Sequence, residues 1–494
     1  MILLKNGTII DGTGAPARSG DVWLDGDRIA APAPGVPAER TIDCTGLTIT
    51  PGFIDIHSHS DVMVLENDRA KADQGVTSEV VGNCGFSPYP AGPMENAVSE
   101  YGRGILYGPP KWGWPNAAEY LDEVNRRARL ASIWSLVGHG SLRTAHAGPK
   151  QGPLEEKQVD AMEHDLDDAL QAGACGFSTG FMYAPGSSAP RDEIIRLLRV
   201  VARHNKVYAT HMRSYSFQLL ESIDEQLDLA RETGVKLQLS HLQAVGRANW
   251  DKQRHALDKI AEARHNGIDV EFDIYPYQAG STVLTQLLPQ WALDGGTETM
   301  LRRLKEDRPR IAKETVESMA QRWEDVYVAS VGSQAGQHWV GKNFEQIAEA
   351  RKLDPVECVF QILEEENGEV NMLSFNQSED NLRQLIQHPL CTVISDGFYV
   401  KGRPHPRLYG TFPHLLGEMV REKKWMPLEE AVYRITGKPA ARFRMEGRGS
   451  LAPGSFADVT VFDAAHIRAK ATYEDPRQQP DGIRFVFRNG QQTL

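Results

Sequence analysis

Two histidines close a short apolar run, Leu47-Thr48-Ile49-Thr50-Pro51-Gly52-Phe53-Ile54-Asp55-Ile56-His57-Ser58-His59. In a strand, residues i and i+2 point to one face, so His57 and His59 can aim both imidazoles at a single point. Neutral imidazole is a common zinc ligand. Two alternating histidines are weak evidence by themselves. The pattern gains weight because further ligand types stand where a barrel would gather them.

Strand-like runs alternate with helical patterns through the middle of the chain. The runs cover 48–56, 77–82, 132–138, 175–179, 207–210, 236–240, 269–275 and 391–394. Helices are expected over 155–172, 192–204, 218–233 and 252–265, the last three with apolar residues at helical spacing. Such alternation predicts a parallel sheet with helices outside, and eight strands predict closure into a (β/α)8 TIM-like barrel. Chemistry in barrels sits at the C-terminal strand ends. Those ends carry His57 and His59, Cys84, His211, His241 and Asp396. A lone histidine there is more often a hydrogen-bonded core residue, and Asp-Gly is usually a turn. For no metal to be bound, those bland readings would have to hold at five strand ends together.

The first and last fifty residues read as short strands and turns, which together make a small β-sandwich domain from both chain termini. The domains expected are 1–50 and 449–494 for that unit and 51–448 for the barrel. An inserted subdomain near the barrel mouth is expected over about 281–342, mostly helical at 298–322. A Gly-, Pro- and Trp-rich stretch, 95–116, reads as a long loop over the mouth. Insertions on that face commonly cover the active site.

Composition narrows the partners. The chain has 494 residues, 41% hydrophobic and 24% charged, enough for a barrel plus appendages. A net charge of −12 argues against a nucleic-acid partner held through phosphates. No stretch approaches the ~18 apolar residues that span a bilayer, so no membrane partner is expected. The first residues read as a strand and turn, not as a signal peptide. Five widely spaced cysteines suit a reducing, cytoplasmic setting better than a disulfide framework. No Gly-x4-Gly-Lys-Ser/Thr phosphate loop is present.

Several longer motifs carry a resemblance. They include Lys5-Asn6-Gly7-Thr8-Ile9-Ile10-Asp11-Gly12-Thr13-Gly14, Pro51-Gly52-Phe53-Ile54-Asp55-Ile56-His57-Ser58-His59 and Gly82-Asn83-Cys84-Gly85-Phe86-Ser87-Pro88. Gly176-Phe177-Ser178-Thr179-Gly180, Tyr275-Pro276-Tyr277-Gln278-Ala279-Gly280-Ser281-Thr282, Ser395-Asp396-Gly397 and His405-Pro406-Arg407-Leu408-Tyr409-Gly410-Thr411-Phe412 extend it. With the tail from Gly449 to Val459, the pattern resembles the amidohydrolase superfamily. It is most similar to the N-acyl-D-amino-acid deacylases (D-aminoacylases).

The resemblance implies zinc-dependent hydrolysis of an N-acyl-D-amino acid to a carboxylic acid and a free D-amino acid. Cys84, His211 and His241 would hold one tightly bound zinc. His57, His59 and Asp396 would line a second, weaker site. Asp396 would be the general acid/base. Arg407 would take the α-carboxylate, its fork suiting that group, while Tyr183, Tyr275 and Ser281 would orient the substrate. One departure stands out. Relatives usually carry lysine two residues after the strand-six histidine, where this chain has Gln243, which supplies hydrogen bonds but no charge. That leaves open an amide lacking an α-carboxylate, or a hydantoinase- or dihydropyrimidinase-like opening of a cyclic amide. A non-catalytic scaffold is a third reading. The partner expected is a small-molecule amide, with homo-oligomerisation left open.

Overall fold

The computed structural model describes all residues except 32–36, 94–95 and 110–111. Eight parallel strands form the barrel: β1 (Phe53–Asp55), β2 (Val76–Val81), β3 (Ser132–Gly138), β4 (Gly176–Gly180), β5 (Val207–His211), β6 (Lys236–Leu239), β7 (Val270–Ile274) and β8 (Cys391–Val393). They hydrogen-bond in unbroken chain order from β1 to β8. Most of their residues are buried, as expected for strands covered on both faces. Among the described residues, β1 and β8 share no ladder. One isolated bridge, Ser58 to Gly397, spans the seam between them.

The run expected as one strand over 48–56 is two. Thr48–Pro51 pairs with Ile2–Ile9 and Val459–Phe462 in the terminal sheet, and only Phe53–Asp55 enters the barrel. Gly52 is the junction. A Cβ there would lie 2.1 Å from the Thr77 hydroxyl, so only glycine lets the chain pass from one sheet to the other. Apolar patterning cannot show this division, because both halves are buried.

Helices pack outside the barrel much as their periodicity predicts. Arg191–Arg203 shows why: Ile194, Leu197, Leu198 and Val201 face inward and are almost fully buried, while the arginines face out. Burying each such side chain stabilises by about 1.5–3 kcal/mol, so Leu198→Asp would strip the helix from the barrel. Asp192 and Glu193 in its first turn oppose the positive end of the helix dipole.

Both termini meet in one eight-stranded sheet. Its core joins Leu4, Ile9, Val22 and Ile49 to Val459, Val461 and Phe487. The opening strand and turn are a single strand, Ile2–Ile9, whose register shifts at a bulge between Leu4 and Gly7.

The insertion between β7 and β8 is larger than 281–342. It holds a three-stranded antiparallel sheet, Ala279–Val283, Val326–Val331 and Val370–Phe375, with the last strand in the middle. The returning strand lies far along the chain from its partners, which hides it from local patterning. The helix expected over 298–322 is two, Gly296–Glu306 and Arg308–Ser318, with Pro309 in the first turn of the second. Of the loop expected over 95–116, residues 95, 110 and 111 lie outside the described residues. Ala97–Tyr101 is a short helix, and Ile105 and Leu106 pack against Cys84, Phe86 and Tyr183.

Candidate metal centre and active site

The barrel gathers the strand-end residues into one buried cluster. His57 and His59 follow β1, Cys84 follows β2, His211 ends β5, His241 follows β6 and Asp396 follows β8. All six are at most 9% exposed. Three of them sit in the left-handed region: Cys84 at φ 55°, His241 at φ 33° and Asp396 at φ 48°. Non-glycine residues avoid that region, and such strain clusters at functional sites. Each strand end turns sharply there, which swings the side chain across the barrel mouth.

Two ligand-type triplets result. Cys84 Sγ lies 3.3 Å from His57 Nε2 and 3.5 Å from His241 Nε2. Asp396 Oδ1 lies 3.4 Å from His57 Nε2 and 3.3 Å from His59 Nε2. Within each triplet the potential ligand atoms lie within 4.8 Å of one another. His57 is common to both, although the resemblance places it only in the second. His211, expected beside Cys84 and His241, is outside these triplets. Its ring centroid is 4.6 Å from that of His241, and both its nitrogens lack a hydrogen-bond partner.

The donor set fits a metal. Nδ1 of His57, His59 and His241 also lacks a hydrogen-bond partner. Buried polar atoms are normally paired, so His211, with both nitrogens unpartnered beside the Nε2 atoms that meet Cys84 and Asp396, is a side chain that a bound cation would satisfy. Burial, followed by neighbouring imidazoles, holds His241 well below the usual histidine range; burial brings His211 down to about 3. Neutral imidazoles keep the lone pairs that zinc needs. His57 differs. Burial pulls it down, but Cys84, Asp396 and Asp273 together outweigh burial and hold it well above its ordinary value.

Arg407 is 1% exposed, and its Nη1 lies 3.0 Å from Asp396 Oδ2. Burial alone would raise Asp396, yet Arg407 and His57 hold it well below the usual carboxylate range. The guanidinium lies over the ring of Tyr275 at 4.5 Å, and Nη2 donates to the Ser281 carbonyl at 3.3 Å. Neither Nε nor Nη1 makes a hydrogen bond, so the guanidinium holds Asp396 by charge alone. Tyr275 donates its hydroxyl to Gln243 Oε1 at 3.2 Å. Tyr183 packs edge-on against His211 at 4.9 Å, its hydroxyl 3.1 Å from Thr282 Oγ1. Ser281 is placed differently from the expectation. Its hydroxyl donates to the Met372 carbonyl at 2.9 Å, because the residue sits in the insertion sheet, and only its own carbonyl reaches Arg407.

Asp273 was not anticipated. Its Oδ1 accepts the His241 backbone N–H at 2.7 Å and lies 3.4 Å from His57 Nδ1; Gln238 donates to Oδ2 at 2.8 Å. The signal for it was a carboxylate inside the apolar strand Val270–Ile274.

A family model described as the amidohydrolase family matches residues 40–494. The chain belongs to the amidohydrolase family. Within it the chain groups with the N-acyl-D-amino-acid deacylases. It is 35% identical to an N-acyl-D-glutamate deacylase of Alcaligenes xylosoxydans xylosoxydans, over 99% of this chain and 92% of that one. A D-aminoacylase of the same organism is 33% identical over 99% and 93%. Among solved structures, the N-acyl-D-glutamate deacylase of Bordetella bronchiseptica superposes with a TM-score of 0.86 at 32% identity, covering 100% of this chain and 96% of that one. That protein was crystallised with zinc and a phosphonate mimic of the tetrahedral intermediate.

Proposed function

We propose that this amidohydrolase cleaves the amide bond of N-acyl-D-amino acids, releasing a carboxylic acid and a free D-amino acid. The observation that carries the reading is the pairing of two features at one strand end. Asp396 closes a histidine cluster through Oδ1, and the buried cation Arg407 holds its Oδ2. The full-length likeness to deacylases supports the same reading.

Cys84, His241 and His211 would hold the tighter zinc, and His59 and Asp396 a weaker one, with His57 reaching both. Zinc held there supplies a Lewis acid for the scissile carbonyl and lowers the pKa of the attacking water to about 7. The side chains do the rest. Asp396 takes the proton of the water and passes it to the departing amine nitrogen. Arg407, orphaned at Nε, binds the substrate's α-carboxylate. The Tyr275 hydroxyl, turned to Gln243, adds a neutral contact beside that cation. Phe86, Phe398 and Tyr183 surround the histidines and restrict water.

Among the described residues no helix is long and apolar enough to cross a membrane. All five cysteines are free and buried, which supports a reducing, cytoplasmic setting.

The test is a zinc-reconstituted panel of N-acetyl-D- and N-acetyl-L-amino acids, read by release of free amine. Turnover confined to D-substrates is expected. A zinc-loaded protein that leaves the panel intact but opens hydantoins or dihydropyrimidines would overturn the reading.

A further inference from the structure

The barrel has a seam, and the candidate active site straddles it. β1 delivers His57 and His59 on one side, and β8 delivers Asp396 on the other. Among the described residues every other neighbouring strand pair is laced by a ladder, but this pair is not. Its backbone links are Asp396 N to the His57 carbonyl at 2.9 Å and His59 N to the Gly397 carbonyl at 3.0 Å.

A buried polar network fills the gap directly beneath. Lys71 precedes the short turn Ala72–Gln74 and is 2% exposed. Its ammonium donates to the Asp55 carboxylate on β1 and to the Ser395 hydroxyl beyond β8. Ser395 in turn donates to Asp55 Oδ2 at 2.5 Å, and its backbone N–H donates to Asp55 Oδ1 at 3.0 Å. Gly397 N donates to the same hydroxyl at 2.9 Å. The hydroxyl therefore grips the residues on both sides of Asp396, the residue held at φ 48°. Glu79 on β2 joins through Ser58 at 2.7 Å.

We propose that Lys71 is a positioning residue: through Asp55 and Ser395 it pins the β1–β8 seam and sets Asp396 against His57 and His59. A buried lysine needs a partner for its charge, and one carboxylate would suffice for that. The additional bond to Ser395 is what fixes the Asp396 turn. The inference rests on the hydrolytic reading only where turnover is measured.

Two variants test it, Lys71→Met and Ser395→Ala. The second keeps the Lys71–Asp55 ion pair and the Ser395 N–H bond to Asp55 and removes only the hydroxyl that ties Lys71, Asp55 and Gly397 together, so it decides the matter even if the first fails to fold. Zinc titration of the apoprotein is read first. The second equivalent is expected to bind about 10–100-fold more weakly, with the first unchanged, as when a group orienting a ligand is lost. In turnover, kcat is expected to fall about 10–100-fold with KM within twofold, since misplacement by about 1 Å costs that much. A purely structural role would lower the melting temperature and leave both readouts of the folded protein unmoved. Wild-type-like zinc binding and kcat in Ser395→Ala would overturn the proposal. If the wild type takes a single equivalent, kcat alone decides. If the wild type cleaves no N-acyl-D-amino acid, the deacylase reading fails while the titration still judges the pin.

Discussion

Replacing Asp396 by asparagine keeps the volume and a carbonyl-type oxygen near His57 and His59, but removes the group that can carry a proton. General acid–base transfer by a positioned side chain contributes about 10²–10⁴-fold. Here one carboxylate is asked both to take the water's proton and to return it to the amine, so kcat is expected to fall about 10³–10⁴-fold, or about 4–5.5 kcal/mol of barrier. KM should fall or stay unchanged. Arg407 Nη1, 3.0 Å from the carboxylate, loses a charged competitor and is left for the substrate's own carboxylate. The assay is steady-state amine release with an N-acetyl-D-amino acid, beside the metal content of the same sample. The first zinc should stay, since Cys84, His211 and His241 are untouched. A kcat within tenfold of wild type would refute the proton role. A variant emptied of all metal would show that Asp396 acts first as a ligand.

Other expectations follow from the same contacts. Chelation should abolish turnover, and zinc alone should restore it; activity that survives in metal-free protein contradicts the mechanism. Asp273→Asn weakens the orientation of His57 and His241, so zinc affinity should drop about 10–100-fold by competition with a chelator dye. Gln243→Lys adds a cation beside Tyr275 and should lower KM for N-acyl-D-amino acids about tenfold, the worth of a charge-assisted bond; a raised KM would place the α-carboxylate elsewhere. The buried cluster of Glu193, Arg143 and His139 gives a pH prediction. Burial opposes ionisation of Glu193, but His139 and Arg143 outweigh it and lower its pKa. A depressed folded-state pKa stabilises above the unfolded value of about 4.3, and the gain is lost as pH falls through the folded value. Glu193→Gln should therefore lower the melting temperature most near neutral pH, by leaving Arg143 unpaired at a cost of about 3–5 kcal/mol. The gap to wild type should narrow below about pH 4; a gap independent of pH would refute the ionised pair.

Much of the site was legible in the chain because each of its candidate residues stands at the end of an apolar run. His57, His59, Cys84, His211, His241 and Asp396 all follow strand-like segments, and alternating strands and helices bring such ends to one rim of a barrel. Local patterning also placed the four outer helices it named to within a residue or two, as at Lys252–His265, but not Ala117–Arg127, His139–Ala147 or Glu379–Gln387. The reading failed where pairing is remote. Thr48–Pro51 and Phe53–Asp55 are both buried, so nothing in their polarity tells which sheet each joins. The middle strand of the insertion, Val370–Phe375, lies far from its partners in the chain.

By itself the sequence determined the candidate ligand types and the order in which the strands present them, and its resemblance to the deacylases marked Gln243 where relatives carry lysine. Tertiary structure alone decided which atoms converge. It set His57 between both triplets, turned the Ser281 hydroxyl away toward Met372, and brought Asp273 under two histidines. It also closed the β1–β8 seam with Lys71, Asp55 and Ser395, residues up to 340 positions apart. The reason is physical. Period and composition act over a few residues, whereas the φ of Asp396 and the partner of each buried polar atom depend on groups that only folding brings within hydrogen-bond reach.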